Sequence, residues 1–321
     1  MSEVTVHAGI DIGATSVKFG LFDSTGNVLF REQRPTMADK GAQPLMHMVT
    51  NIGESLLYHA AEENLSVSYL GVGTPGAVDF KSGKVIGPCP NIKGWTGIDI
   101  AGNLRARLNL PVWVDNDVNA MALAEARFGV AIGADSAICV TVGTGVGGGV
   151  IIGGKLWRGS SFSAGELGHL PINSIDGPVC GCGNKGCLEA YCSSRAILNR
   201  AKRKLEKRMS NTFENILGGD TKNLTIKKLF TAGKRGDEIA HETIDETARY
   251  LAIGLAGIVN LINPEVIVIG GGIADGGGGF LESVSAEVKQ RAFSSAIKGL
   301  SIVKASLGND AGFIGAGLLG E

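Results

Sequence analysis

The chain has 321 residues, with 30 Lys and Arg against 31 Asp and Glu and a formal net charge of −1. That balance supplies no global field to draw it onto nucleic acid or an anionic membrane. With 44% hydrophobic residues, 19% charged residues and 49 glycines, it is globular, too apolar to be disordered and long enough for two domains.

The opening residues, MSEVTVHAGIDIG, lack a basic stretch followed by a long apolar one, so no signal peptide is expected. Strands are predicted at 4–10, 16–22 and 28–33, with polar turns at 11–15 and 24–27, which makes a β-meander. A helix over 44–64 sets Leu45, Met48, Ile52, Leu56 and His59 near one face. A buried strand at 69–73 runs into Gly-Thr-Pro-Gly. A helix at 97–108 and a strand at 112–114 follow.

The pattern then restarts: helix 116–128, strand 137–142, glycine turn 143–148, strand 149–152. Strand, small-residue turn and strand occur at 10–22 and again at 139–152, a weak internal repeat implying two domains of similar plan. Helices are predicted at 192–208, 225–234 and 237–261, the last ending at Asn263-Pro264. The apolar segment 251–262 is interrupted by glycines and too short to span a bilayer. Residues 266–269 form a wholly apolar strand suited to a central parallel position, ending in Gly270-Gly271-Gly272. The run Gly276–Gly279 reads as a flexible loop without a functional assignment. A small-residue helix at 310–319 closes the order. Lys202, Arg203, Lys204, Lys207 and Arg208 fall on one predicted helix without interleaved aromatics, so a solvated face or an oligomer contact is expected there rather than a nucleic-acid patch.

The densest chemistry lies between Glu166 and Glu189, in GELGHLPINSIDGPVCGCGNKGCLE. His169, Cys180, Cys182 and Cys187 make a set of four N/S ligands, the composition of a closed tetrahedral zinc centre. The Cys-x-Cys-x4-Cys spacing is not that of a zinc finger. The bland reading is three buried or paired thiols and a surface histidine. Six cysteines in a chain of this length suit reduced thiols with a metal, hence a cytoplasmic setting.

Three small-residue loops sit at strand ends. Asp11-Ile12-Gly13-Ala14-Thr15 lacks a Walker ending, yet frees backbone N–H groups to face an anion, and Asp11 could hold magnesium through water. The run 143–149 contains Gly-x-Gly-x-Gly-Gly but precedes a strand, which disfavours a dinucleotide fingerprint. Gly270–Gly272 makes the third. Each alone fits a plain hairpin turn; together they point to a nucleotide. Asp115-Asn116-Asp117 ends an apolar strand and opens a helix. A carboxylate there can accept a hydroxyl proton in phosphoryl transfer, and the competing expectation is that Asp115 or Asp117 is the helix cap.

GIDIGATSVK, GVGTPGAVD, PNIKGW, VDNDVNAMALAE, VGTGVGGGVIIGGKLWRG, GELGH, CGCGNKGCLEAYCS, NPEVIVIGGGI and LGNDAGFIGAG span nearly the whole chain in that order. Together they resemble the ROK family of sugar kinases and sugar-responsive repressors, and within it the bacterial glucokinase branch. The resemblance implies an α/β, actin-like (ribonuclease H-like) two-domain ATPase fold with an interdomain cleft. The expected smaller domain covers 1–115 plus about 305–321, and the larger covers 116–304 with the zinc knuckle.

By matching motif positions, Asp117 would be the general base. Gly76, Asn116, Asp117, Glu166, His169 and Glu189 would hold sugar hydroxyls. Asp11, Gly13, Thr15, Thr144 and Gly145 would face the phosphates of ATP, with Gly271 and Gly272 nearer the adenosine. His169, Cys180, Cys182 and Cys187 would bind structural Zn²⁺. Mg²⁺ would accompany ATP.

The implied activity is ATP-dependent phosphorylation of glucose at the 6-hydroxyl. The alternatives are another hexose (N-acetylmannosamine, N-acetylglucosamine or fructose) or a sugar-sensing regulator. Against the regulator stand the early first strand and the presence of Asp117. Expected partners are a hexose and ATP, with no nucleic acid and no membrane, in a homodimer or homotetramer. One departure is Ala14, where many relatives carry glycine.

Overall fold

A computed structural model describes residues 4–208, 210–277 and 279–321. Gly278, within the four-glycine run, lies outside the described residues. The chain opens with β1 (Val4–Ile12), β2 (Ser16–Phe22) and β3 (Val28–Pro35), an antiparallel meander in which Asp11 pairs with Lys18. Then come α1 (Ala42–Glu62), β4 (Leu65–Thr74), the short strands β5 (Val78–Asp79) and β6 (Lys84–Val85), α2 (Ile100–Leu108) and β7 (Val112–Asn116). Strand β4 runs parallel to both β1 and β7, giving a sheet of order β3-β2-β1-β4-β7.

Helix α1 buries Leu45, Val49, Ile52 and Leu56 at helical spacing, with Met46, Gly53 and Ala60 beside them. Met48 and His59, expected on that face, lie at its edge, where the His59 ring packs 4.1 Å from Phe30. Fully buried Ile10, Val17, Phe19, Val72 and Trp95 complete this core. Each such side chain contributes about 1.5–3 kcal/mol.

The next elements are α3 (Asp117–Phe128), β8 (Ser136–Val142), β9 (Val146–Ile152) and β10 (Lys155–Leu156). They are followed by α4 (Glu189–Cys192), α5 (Ser194–Lys207), α6 (Asn211–Leu217), α7 (Ile226–Lys234) and α8 (Glu238–Ile262). Last are β11 (Val266–Gly270), α9 (Phe280–Arg291), β12 (Ser301–Lys304) and α10 (Ala311–Gly317). The second sheet has the order β10-β9-β8-β11-β12. Both sheets therefore place three consecutive strands in reverse order beside two later ones, the plan the internal repeat suggested.

The helix expected at 192–208 is broken. Ser193 is extended (φ −62°, ψ 151°) and caps α5 through the Ala196 N–H, so α4 and α5 are separate. The basic run on α5 faces acids of α8 within the same chain. Lys204 bonds to Glu242 and Glu246, and Arg208 to Glu242. Helix α8 stops at Asn263, held left-handed before Pro264. No described helix is long and apolar enough to cross a membrane.

The chain forms two compact units: Met1–Cys139 with Gly149–Gly165 and Ser306–Glu321, and Val140–Gly148 with Glu166–Ala305. In the first unit, α10 packs directly onto the sheet. A side chain at Gly9 or Gly71 would overlap the carbonyls of Phe313 or Ala316, and one at Gly315 would overlap that of Ala120 in α3. Fully buried Glu125 accepts the N–H groups of Ser306, Leu307 and Val130, fixing the segment that leads into α10.

Candidate active site

In the first unit the chemistry gathers where β7 becomes α3. The cap of α3 is Asn116, not Asp115 or Asp117. Asn116 is extended (φ −61°, ψ 144°), and its Oδ1 accepts from the N–H of Val118 (2.8 Å) and of Asn119 (3.2 Å). An amide oxygen satisfies these donors as well as a carboxylate; Asp117 Oδ1 shares the Val118 N–H at 3.0 Å. Asn116 Nδ2 donates to the Gly76 carbonyl at 3.2 Å, which uses one of its two amide hydrogens. Gly76 is left-handed (φ 87°), which explains glycine there.

Asp117 is the first residue of α3. Asp115 is buried, accepting from Asn116 N–H (2.7 Å), Asn119 Nδ2 (2.9 Å) and Arg158 Nε (2.6 Å). Arg158 was not singled out from the sequence, although it stands in the LWRG segment.

Asp11 belongs to the same neighbourhood. A side chain at Gly73 would meet both the Asp117 Cα (3.4 Å) and Asp11 Oδ1 (3.7 Å), and one at Gly312 would overlap the Asp11 carboxylate. The residue keeps partial exposure, but its carboxyl is enclosed. Burial pushes it up to about 6, against the opposing pull of the Lys18 ammonium. Lys18 Nζ itself donates to Asn309 at 3.2 Å. The turn after β1 is closed by Gly13 N–H to Ser16 O (3.0 Å), and Thr15 is exposed. Ala14 does not take a positive φ, so the position needs no glycine.

The second unit gathers the other expected residues. His169 Nδ1 lies 3.7 Å from Cys180 Sγ, and Cys182 Sγ lies 3.7 Å from Cys187 Sγ. One ligand atom from each of the four falls within 4.8 Å of all the others. Zn–S bonds of about 2.3 Å at tetrahedral angles put sulfurs about 3.8 Å apart, so the donor set fits zinc. All three thiols are free rather than disulfide-bonded. With Nδ1 turned to the thiols, His169 Nε2 lies 3.9 Å from Glu166 Oε2. Burial raises the Glu166 carboxyl above the usual range, with His169 opposing and Glu189 adding to the shift.

Glu189 reaches two ways: Cys180 Sγ–H donates to its Oε1 (3.8 Å), and the Val146 N–H donates to its Oε2 (3.0 Å). The glycine loop is closed by Gly143 N–H to Gly145 O (2.9 Å) and leaves Thr144 exposed. Gly271 (φ 87°) packs so tightly on the end of β8 that a side chain would overlap Val142. Gly272 lines a cavity of about 550 Å³ with Thr225, Phe230, Lys234, Asp275 and Gly276. The cavity residues of α7 were not foreseen, because they read only as one face of a helix.

The model of the ROK family matches residues 7–321. The chain is 32% identical to a glucokinase of Thermotoga maritima over 308 residues, covering 96% of this chain and 95% of that one. It is 33% identical over 307 residues to a xylose repressor of Caldicellulosiruptor bescii, covering 96% of this chain and 76% of the repressor. Among solved structures it is similar to a ROK family glucokinase from Streptomyces griseus in complex with glucose and AMPPNP, with a TM-score of 0.85, 34% identity and 98% of each chain covered. The two mixed α/β units have the ribonuclease H-like ATPase fold expected from the motifs, and the chain belongs to the ROK family.

Proposed function

We propose that this protein is an ATP-dependent glucokinase that phosphorylates the 6-hydroxyl of glucose. The observation that carries the reading is the end-to-end likeness to a glucokinase bound to glucose and AMPPNP. The residues described above supply the chemistry. Asp117 accepts the proton of the 6-hydroxyl as that oxygen bonds to the γ-phosphorus. The bond from phosphorus to the bridging oxygen breaks, and ADP leaves with the electron pair. Gly76, Asn116, Glu166, His169 and Glu189 hold the sugar hydroxyls.

The turns bearing Asp11, Gly13, Thr15, Thr144 and Gly145 face the phosphates, and the cavity beside Gly271 and Gly272 has room for adenosine. Asp11 would hold Mg²⁺ through water, and the ion would supply positive charge beside the phosphates. His169, Cys180, Cys182 and Cys187 would hold a structural Zn²⁺, with the other ring nitrogen of His169 left toward the sugar. Positioning and electrostatics then provide most of the rate enhancement. The enzyme works as a cytoplasmic homodimer or homotetramer without nucleic-acid or membrane partners.

The test is ADP release with Mg-ATP across glucose, mannose, fructose, N-acetylglucosamine and N-acetylmannosamine. Preference for glucose is expected. Preference for an N-acetylated sugar would move the substrate and keep the mechanism. The likeness to a xylose repressor favours a second reading, a sugar sensor. Tight sugar binding without turnover by the folded, zinc-loaded protein would select it.

A further inference from the structure

Arg158 and Asp115 form an ion pair at 2.6 Å, with 21% and 3% of their side chains exposed. The Arg158 guanidinium also lies 3.6 Å over the Phe80 ring, which stacks on Trp113 of β7 at 5.5 Å. Asp115 uses its other oxygen to accept the Asn116 N–H and the Asn119 amide. One carboxylate thus ties the last peptide of β7 to the first turn of α3, and one arginine fixes that carboxylate from the opposite side. Asp117 sits between the two residues so tied.

A buried ion pair is weak evidence for stability, because desolvation offsets much of the Coulomb gain. What such a pair does supply is direction. The planar guanidinium, stacked on Phe80, cannot turn without giving up either the ring or the carboxylate. We propose that Arg158 is a positioning residue for Asp117, acting through Asp115 to set the orientation of the β7–α3 turn. This rests on the kinase reading above. Arg158 also opens the loop that the Ala164 N–H closes onto its carbonyl (3.0 Å) and that continues to Glu166 in sequence. Its replacement therefore acts on geometry at the catalytic end of the chain's chemistry rather than on the nucleotide turns.

The experiment compares wild type, Arg158→Lys and Arg158→Met by kcat, KM for glucose, KM for Mg-ATP and melting temperature. Lysine keeps the charge partner of Asp115 and loses the fork and the stacking. Arg158→Lys is expected to melt with the wild type, lose about 100-fold in kcat and keep its KM for Mg-ATP, since small misplacements at a reacting centre have effects of that size. Arg158→Met is expected to lose as much kcat and to melt lower. A folded Arg158→Lys with wild-type kcat would overturn the proposal. So would a loss in kcat that only follows the unfolded fraction, or one matched by a rise in KM for Mg-ATP. Absence of turnover in the wild type on every sugar would instead sink the kinase reading, and this role with it.

Discussion

Glu189 Oε2 accepts a hydrogen bond from the Val146 backbone N–H at 3.0 Å, joining the thiol-bearing segment to the glycine loop. The same oxygen would lie 2.5 Å from a side chain added at Gly145. The Gly145 φ is not positive, so a methyl there strains no backbone and must instead move the carboxylate. Gly145→Ala is expected to displace the carboxylate and raise KM for Mg-ATP by about tenfold, the equivalent of one hydrogen bond. Steady-state kinetics at varied Mg-ATP would check this, and an unchanged KM would remove Glu189 as the support of the loop.

Asp117→Ala is expected to lower kcat by about 10²–10⁴, the range for a lost general base. Mg-ATP binding, followed by calorimetry, should be retained because the turns at 11–15 and 143–145, proposed to face ATP, are untouched. Retained turnover would take Asp117 out of the role of base.

Cys182 is the exposed member of its cluster and Cys187 the fully buried one. Cys182→Ser is expected to lower the zinc content, measured by elemental analysis, below one per chain. Loss of metal-coupled folding energy should drop the melting temperature by about 5–10 °C. A zinc-free variant that melts with the wild type would make the cluster dispensable to the fold.

The Asp11 carboxyl, held up to about 6 against an ordinary 3.8, binds its proton more tightly in the folded state. Folding stability in the absence of nucleotide is therefore expected to fall as pH rises from about 4 to about 6, and to stay lower above that. Asp11→Asn should remove this dependence and gain about 2–3 kcal/mol at pH 7.5. Denaturant titrations of both proteins at pH 4.5 and 7.5 measure it. A wild type that gains stability over this interval relative to Asp11→Asn would reverse the sign and refute the assignment.

Much of this was legible in the residues because the signals were local. The meander showed through the polar turns at 11–15 and 24–27, and α8 through its apolar spacing and its Asn-Pro stop. The metal cluster showed because three of its ligands lie within eight residues. What escaped was short or long-range. Helix α6 buries only Phe213 and Leu217, too few for a period. Strand β12 has four residues and, among the described residues, pairs only with β11. Helix α9 begins directly after the glycine run. Asp115 and Asp117 looked like caps because the preference for Asp, Asn and Ser at that position is nearly equal. The contacts of Glu189 with Val146 and of Arg158 with Asp115 each bridge 43 positions, beyond any spacing argument.

The backbone-to-backbone seat of α10 bears on how the protein is made. Gly9, Gly71 and Gly315 let that helix lie against strands β1 and β4 and against α3, yet α10 (Ala311–Gly317) leaves the ribosome long after β4 (Leu65–Thr74). The first unit cannot close while it is being synthesised, however early its sheet emerges. At about 5–20 residues per second, the nascent first sheet waits many seconds with the α10 site uncovered. Truncation before residue 306 would leave it permanently in that condition.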